Sequence, residues 1–347
     1  MIIYKNSLKS FNTFGLDVTA LKIIKITNIN ELYYIWEKYC QKSIPYIILG
    51  NGSNVLFLNH FRGIVIINRL KGIYINETQN HWNLHVNSGE NWHQLVKYTI
   101  KKGIFGLENL ALIPGCVGSA SIQNIGAYGV SLQNFCKYVD IMNLLNKKIT
   151  RLSCIECNFQ YRNSIFKNFY MHNYIIIALG ITISKKWKPN ISYKDLNHLN
   201  LYTITPHEIF SYICTIRKKK IPNPKIYGNA GSFFKNPLVS NKLGIQLLKT
   251  FPNMPYILKN NIFKISAAWL IDQCNLKRYI KGGAMIYSKH SLIIINKCKA
   301  KSKDILYIAI KIYNCVGNKF GIWLEPEVRL IGSLGEVHPS SIFFHNH

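Results

Sequence analysis

The chain of 347 residues exceeds one average domain, so two or three packed units are expected, and its 48% hydrophobic content is enough to build their cores. No stretch reaches the ~18 uninterrupted apolar residues of a membrane-spanning helix, which excludes a helical membrane protein. The net charge of +28 permits nucleic-acid binding. However, the basic residues are dispersed, with one modest run at Arg217-Lys218-Lys219-Lys220, and the joint richness in Ile, Asn, Lys and Tyr follows AT-rich codons. No nucleic-acid partner is therefore expected.

The elements follow in chain order. Asn28 and Glu31 resemble a capping box opening a helix to about residue 42. A strand at 45–49 delivers the loop Gly50-Asn51-Gly52-Ser53-Asn54, and another strand follows at 63–67. Trp82, Leu84 and Val86 alternate as a half-buried strand; Trp92, Leu95, Val96, Thr99 and Ile100 lie at helical spacing, with Gly103 at the C-terminal cap position. Residues 114–129, carrying four glycines, read as neither a good helix nor a good strand, and a loop of that length is expected to be functional. Strands resume near Val139 and at 174–183.

Thr205-Pro206-His207-Glu208 is the clearest helix start. Ile209, Ile213 and Ile216 form its buried stripe, the basic run closes it, and Pro222 and Pro224 stop it. Helices are predicted at 266–274 and 302–316, and strands at 284–287 and 292–296. Residues 322–330 alternate as a last strand, with Trp323, Glu325, Glu327 and Arg329 on one face. No export signal is visible in the first fifteen residues, so a cytoplasmic protein is expected. Nine cysteines, an odd and scattered set, suit reduced thiols. Cys154-Ile155-Glu156-Cys157 is the one CxxC; with no second ligand pair in the nearby sequence, no metal is expected.

The two glycine-rich loops suit a pyrophosphate, because small residues let main-chain donors approach its oxygens. Gly50-x-Gly52 lacks the third glycine of a dinucleotide fingerprint, and no Gly-Lys-Ser/Thr phosphate loop occurs. Read locally, Ser232 in Gly228-Asn229-Ala230-Gly231-Ser232-Phe233-Phe234-Lys235-Asn236-Pro237 is a turn hydroxyl. Arg162, in Tyr161-Arg162-Asn163-Ser164, is a solvated arginine on the same terms, and Glu325 an ordinary strand acid.

Taken together these segments carry more. The chain resembles the UDP-N-acetylenolpyruvoylglucosamine reductase (MurB) family through Asn12-Thr13-Phe14-Gly15, Leu49-Gly50-Asn51-Gly52-Ser53-Asn54-Val55-Leu56, Gly106-Leu107-Glu108-Asn109-Leu110 and residues 113–129. The likeness continues through Tyr161 to Phe166, the Ser232 segment, Trp269-Leu270-Ile271-Asp272 and Trp323-Leu324-Glu325-Pro326-Glu327-Val328-Arg329. Ser164 and Ile165, together with Tyr193 in Ile191-Ser192-Tyr193-Lys194-Asp195-Leu196, look like the longer, type I form. The resemblance implies an α+β fold: a two-subdomain FAD-binding module of the PCMH (vanillyl-alcohol-oxidase-like) kind plus a C-terminal α/β substrate domain. The expected divisions are 1–68 and 69–213 for the two FAD subdomains and 214–327 for the substrate domain, with 328–347 returning to the second subdomain.

The resemblance also implies chemistry. NADPH reduces non-covalent FAD and leaves, and the enolpyruvyl ether of the UDP-sugar takes the same place. Hydride from flavin N5 adds to the alkene carbon remote from the carboxylate, and Ser232 donates the proton at the carbon beside it. Arg162 supplies a cationic fork to the carboxylate, and Glu325 assists, either protonated or orienting Arg162 or a water. Cofactor contacts are expected from Gly50, Asn51, Gly52, Ser53, Asn54, Gly118, Ser119, Ile122, Gln123, Asn124, Gly126 and Tyr128, and substrate contacts from Tyr193, Lys220 and Asn236. A monomer acting on small molecules, without membrane insertion, is expected. Two residues depart from the family pattern. Ser121 replaces a common proline, a change worth under ~1 kcal/mol through the unfolded chain, and Asn163 replaces a common aspartate.

Overall fold

The computed structural model describes residues 2–4, 6–39, 44–168 and 173–343. The chain divides into two compact units: one of residues 1–5, 21–51 and 63–218, the other of 6–20, 52–62 and 219–347. Most of the predicted elements form close to their expected places. The first helix is Ile29–Tyr39; its expected end near residue 42, and Cys40, lie outside the described residues.

In the first unit, a five-stranded antiparallel sheet runs in the order Ile149–Ser153, Cys136–Asn143, Tyr174–Ser184, His81–Asn87, Ile73–Glu77. Its apolar face closes on the helix Trp92–Lys101, whose Trp92, Leu95, Val96 and Ile100 sit in one buried cluster with Leu84, Val86, Val139 and Leu179. Asn91 caps that helix by accepting from the Gln94 amide. The Thr205 signal is realised in full. Glu208 Oε2 accepts from the Thr205 amide at 2.8 Å and Thr205 Oγ1 accepts from the Glu208 amide at 3.3 Å, opening the helix Pro206–Lys220.

The second unit contains a four-stranded sheet, ordered Gly228–Ser232, Ile293–Asn296, Ala284–Ile286, Ile280–Lys281, against which the helix Ser302–Phe320 packs. Two predicted elements differ. Residues 114–129 are not all loop: Val117–Ile122 forms a short helix, since Gly118 and Ala120 are small enough to bury it against Ser88, whose carbonyl accepts from the Gly118 amide at 2.9 Å. Residues 322–328 alternate buried and more exposed as predicted, yet a ladder begins only at Arg329–Ile331. Before that point the segment is held by single bonds, Lys235 N to Glu325 O and Glu327 N to Phe233 O, both 2.8–2.9 Å.

Glu108 is 2% exposed in the first unit. Burial raises its pKa above the usual carboxylate range, opposed by hydrogen bonds from Trp187 Nε1 (2.5 Å) and the Gly106 amide (2.6 Å). A raised folded-state pKa stabilises fully below the unfolded value near ~4.3 and loses that contribution as pH climbs through the folded value. Urea unfolding across that window is therefore expected to show a destabilising slope approaching ~1.4 kcal/mol per pH unit from this group. In Glu108→Gln that component is absent, and an unchanged slope refutes the assignment.

Candidate active site

Each unit carries one polar constellation. In the first, Arg162 lies at the tip of a tight turn in which Gln160 and Asn163 bridge each other. Its φ of +54° is left-handed, a strained state for a non-glycine residue that persists only when surrounding bonds enforce it. Arg162 Nη2 donates to Gly126 O at 2.8 Å, and Ser164 Oγ donates to Ile122 O at 2.7 Å, so the turn is tied to the 114–129 segment at two points. Asn124 holds the same turn: its Nδ2 donates to Gln160 O (3.1 Å) and Gln133 Oε1 (3.0 Å), and its Oδ1 accepts from the Gln133 amide. The Asn124 side chain is thus committed to scaffolding.

Beside Arg162 stands Arg217, which sequence reasoning took for a helix-ending cation. Burial pushes its guanidinium pKa down; a bond to the Tyr128 hydroxyl resists this, and repulsion from Arg162 adds to it. Among the described residues its buried Nε has no hydrogen-bond partner. Two neighbouring guanidiniums with a vacant buried donor have the chemistry to receive an anion. Tyr128, at φ +47°, meets Tyr193 edge-to-face with centroids 5.4 Å apart, and burial raises both phenol pKa values.

The glycine-rich loop at 50–54 follows the strand Tyr46–Leu49. Gly52 has φ +60°, and a Cβ there would lie 1.9 Å from Phe11 O, so only glycine lets the loop lie flat at this point. Gly50 O accepts from Arg69 Nη1 at 2.9 Å, Asn51 Oδ1 from Cys116 Sγ at 3.3 Å, and Asn54 Nδ2 donates to Glu327 O at 3.1 Å. Ser53 is partly buried and Gln123 is the C-cap of the short helix, whose Ser119 hydroxyl is spent on the Cys116 backbone. Ser121, the departure from the family proline, is fully buried with its hydroxyl unpartnered among the described residues. Nothing in the structure explains Asn163.

In the second unit, Ser232 ends the strand Gly228–Ser232 just after a bulge: Asn229 pairs with Ile295 but Ser232 with Ile293, three residues against two. Gly231 supplies the left-handed φ of +73° that this extra residue needs, and Asn229 Oδ1 accepts from its amide. Such a bulge re-aims the next side chain, and Ser232 is left partly accessible ahead of the buried Phe233 and Phe234. Lys235, 8% exposed, is ion-paired through Nζ with Glu325 Oε1, and its amide donates to Glu325 O. Asn236 Oδ1 accepts from the Ala267 amide at 3.0 Å, at the start of the helix Ala267–Gln273, leaving Nδ2 for a ligand. Lys220 is the last residue of its helix and partly buried.

Sequence reasoning missed Arg217 and Lys235. Arg217 was hidden in a basic run, and Lys235 stood inside a quoted motif without a partner 90 residues away to give it meaning. Cys136 proved to neighbour the CxxC, its thiol within hydrogen-bonding reach of Cys157 and Cys154. Even so, the described residues contain no three-ligand metal cluster, and their eight cysteines are free. No helix among the described residues is long and apolar enough to cross a membrane.

Comparison with known proteins adds to this geometry. Residues 223–331 match the UDP-N-acetylenolpyruvoylglucosamine reductase C-terminal domain, and residues 20–153 match the FAD binding domain. The UDP-N-acetylenolpyruvoylglucosamine reductase of Buchnera aphidicola subsp. Schizaphis graminum is 55% identical over 332 residues, covering 95% of this chain and 96% of that one. The Escherichia coli K12 protein of the same name is 50% identical over 333 residues, covering 96% and 97%. The crystal structure of the Thermus caldophilus reductase superposes with a TM-score of 0.65 at 23% identity, over 95% of this chain and 99% of that one.

Proposed function

Because the chain belongs to the UDP-N-acetylenolpyruvoylglucosamine reductase family, we propose a role for each of its site residues in that reaction. The chain is an FAD-dependent oxidoreductase of peptidoglycan precursor synthesis. It reduces UDP-N-acetyl-3-O-(1-carboxyvinyl)glucosamine to UDP-N-acetylmuramate at the expense of NADPH. Its fold joins an FAD-binding module of mixed helix and strand to a C-terminal substrate domain.

The observation that carries the residue assignment is the Arg162–Arg217 pair with its vacant donor. The substrate gains charge on a carboxylate as the double bond is reduced, and a fork held before the reaction stabilises that charge without reorganising. Arg162 holds the carboxylate, Arg217 supports the same negative charge, and Glu325, fixed by Lys235, orients the groups around it. Ser232 Oγ gives its proton to the carbon beside the carboxylate and regains one from water, to which its position after the bulge leaves it open. Tyr193, Lys220 and the free Nδ2 of Asn236 bind the sugar nucleotide.

The loop at 50–54 fits FAD: small side chains and the flat passage at Gly52 let the main chain approach a pyrophosphate. Gly118, Ser119, Ile122, Gln123, Gly126 and Tyr128 complete the cofactor contacts, with Asn124 as their support. When bound, FAD takes hydride from NADPH and supplies it to the enolpyruvyl double bond. We place the enzyme in the cytoplasm as a monomer and propose the division 1–68, 69–213 and 214–327; the expected return of 328–347 to the second subdomain is corrected, since Arg329–Ile331 pairs with Val55–Phe57 inside the first segment.

Purified protein is expected to be yellow and to oxidise NADPH when the enolpyruvyl sugar nucleotide is added. Colourless protein that takes up no FAD would favour a nucleotide-sugar binding role, whereas oxygen uptake without substrate-stimulated NADPH oxidation would indicate an oxidase.

A further inference from the structure

Asn109 is 2% exposed and sits in the single 3-10 turn Glu108–Leu110. Its Nδ2 donates twice, to Tyr128 O at 2.9 Å and to Asn190 O at 2.8 Å, so both amide protons are used in a buried place. The acceptors lie in segments of little regular secondary structure that pack on the buried cluster through Tyr128, Trp187 and Ile191. Tyr128 is a left-handed residue beside a two-residue strand, and 188–192 belongs to no helix or strand. Ser192 Oγ bonds only locally, to Asn190 Oδ1 at 2.9 Å, and the two segments meet again through the Tyr128 and Tyr193 rings.

A buried amide bridging two carbonyls meets no competition from water, and removing it leaves both acceptors unsatisfied. We infer that Asn109 is a positioning residue: it sets the separation of the Tyr128 and Tyr193 segments and thereby holds Tyr193 in place for the sugar nucleotide. The inference deepens the reading of Tyr193 as a substrate contact and rests on it. It gives the segment Gly106-Leu107-Glu108-Asn109-Leu110 a task, since Glu108 anchors the turn through Trp187 while Asn109 reaches across it.

The test combines steady-state kinetics with amide hydrogen exchange on FAD-loaded enzyme carrying Asn109→Ala, or Asn109→Ser should the first not fold. Expected are a KM for the enolpyruvyl sugar nucleotide raised about 10-fold, kcat within about 3-fold, and flavin reduction at saturating NADPH within about 2-fold. Amides at 190–193 are expected to exchange about 10-fold faster while those of Tyr174–Ser184 do not change. Combined with Tyr193→Ala, the Asn109 change should add nothing further to KM. Unchanged exchange at 190–193, or a fall in kcat at constant KM, overturns the inference. Tyr193→Ala with an unaltered KM defeats the substrate reading instead, and the exchange result then still decides whether Asn109 clamps the two segments.

Discussion

Ser232→Ala should leave the reduction of bound FAD by NADPH within about twofold of wild type while the reoxidation of that flavin by substrate slows by 10² to 10⁴, about the range of general acid catalysis. The two half-reactions separate because only the second needs a proton at carbon. Ser232 is suited to that task by placement rather than acidity. The bulge at Gly231 turns its hydroxyl out of the ladder and leaves it partly accessible, while Phe233 and Phe234 lock the following backbone in the core. A serine is a weak acid, but the enolate-like carbon is a strong base, and a fixed approach removes most of the entropic cost. Stopped-flow absorbance of the flavin reads both steps. An equal loss in the two half-reactions would mean that Ser232 shapes the site and donates nothing.

Arg162→Lys is expected to slow the substrate half-reaction by 10² to 10³, the cost of losing a preorganised donor at a developing anion, even though the charge is kept. Lysine offers a point charge and cannot reproduce the planar, bidentate fork. The left-handed backbone at residue 162 is retained by either side chain, so the change isolates the guanidinium. Because lysine keeps the positive charge, the repulsion that Arg162 exerts on Arg217 is largely preserved. Stopped-flow traces at saturating substrate should show the loss in the rate of reoxidation, with flavin reduction by NADPH little affected. A variant that reoxidises at the wild-type rate would remove Arg162 from the carboxylate.

Local signals in the sequence translated well. The reciprocal bonds of Thr205 and Glu208, the helical spacing from Trp92 to Ile100 and the alternation after Ile322 all depend on residues two to four apart, which the chain records directly. The ordered motifs also identified the family, because each preserves a local backbone need such as the left-handed turn at Gly52. What the sequence could not show is which charges meet. Arg217 read as a helix-ending cation until folding set its guanidinium beside Tyr128 and Arg162, and Lys235 read as one more lysine until it met Glu325.

The segment before Arg329 shows the same division. Its alternation was visible, but its ladder depends on what lies alongside, and single bonds to Phe233 and Lys235 replaced the expected strand. By itself the sequence determined the strongly signalled helices and strands, the Thr205–Glu208 cap and the family, since these rest on short-range sterics and hydrogen bonding. The tertiary structure alone decided the partners of Arg162, Asn109 and Glu325, because burial and long-range packing choose which polar groups must satisfy one another.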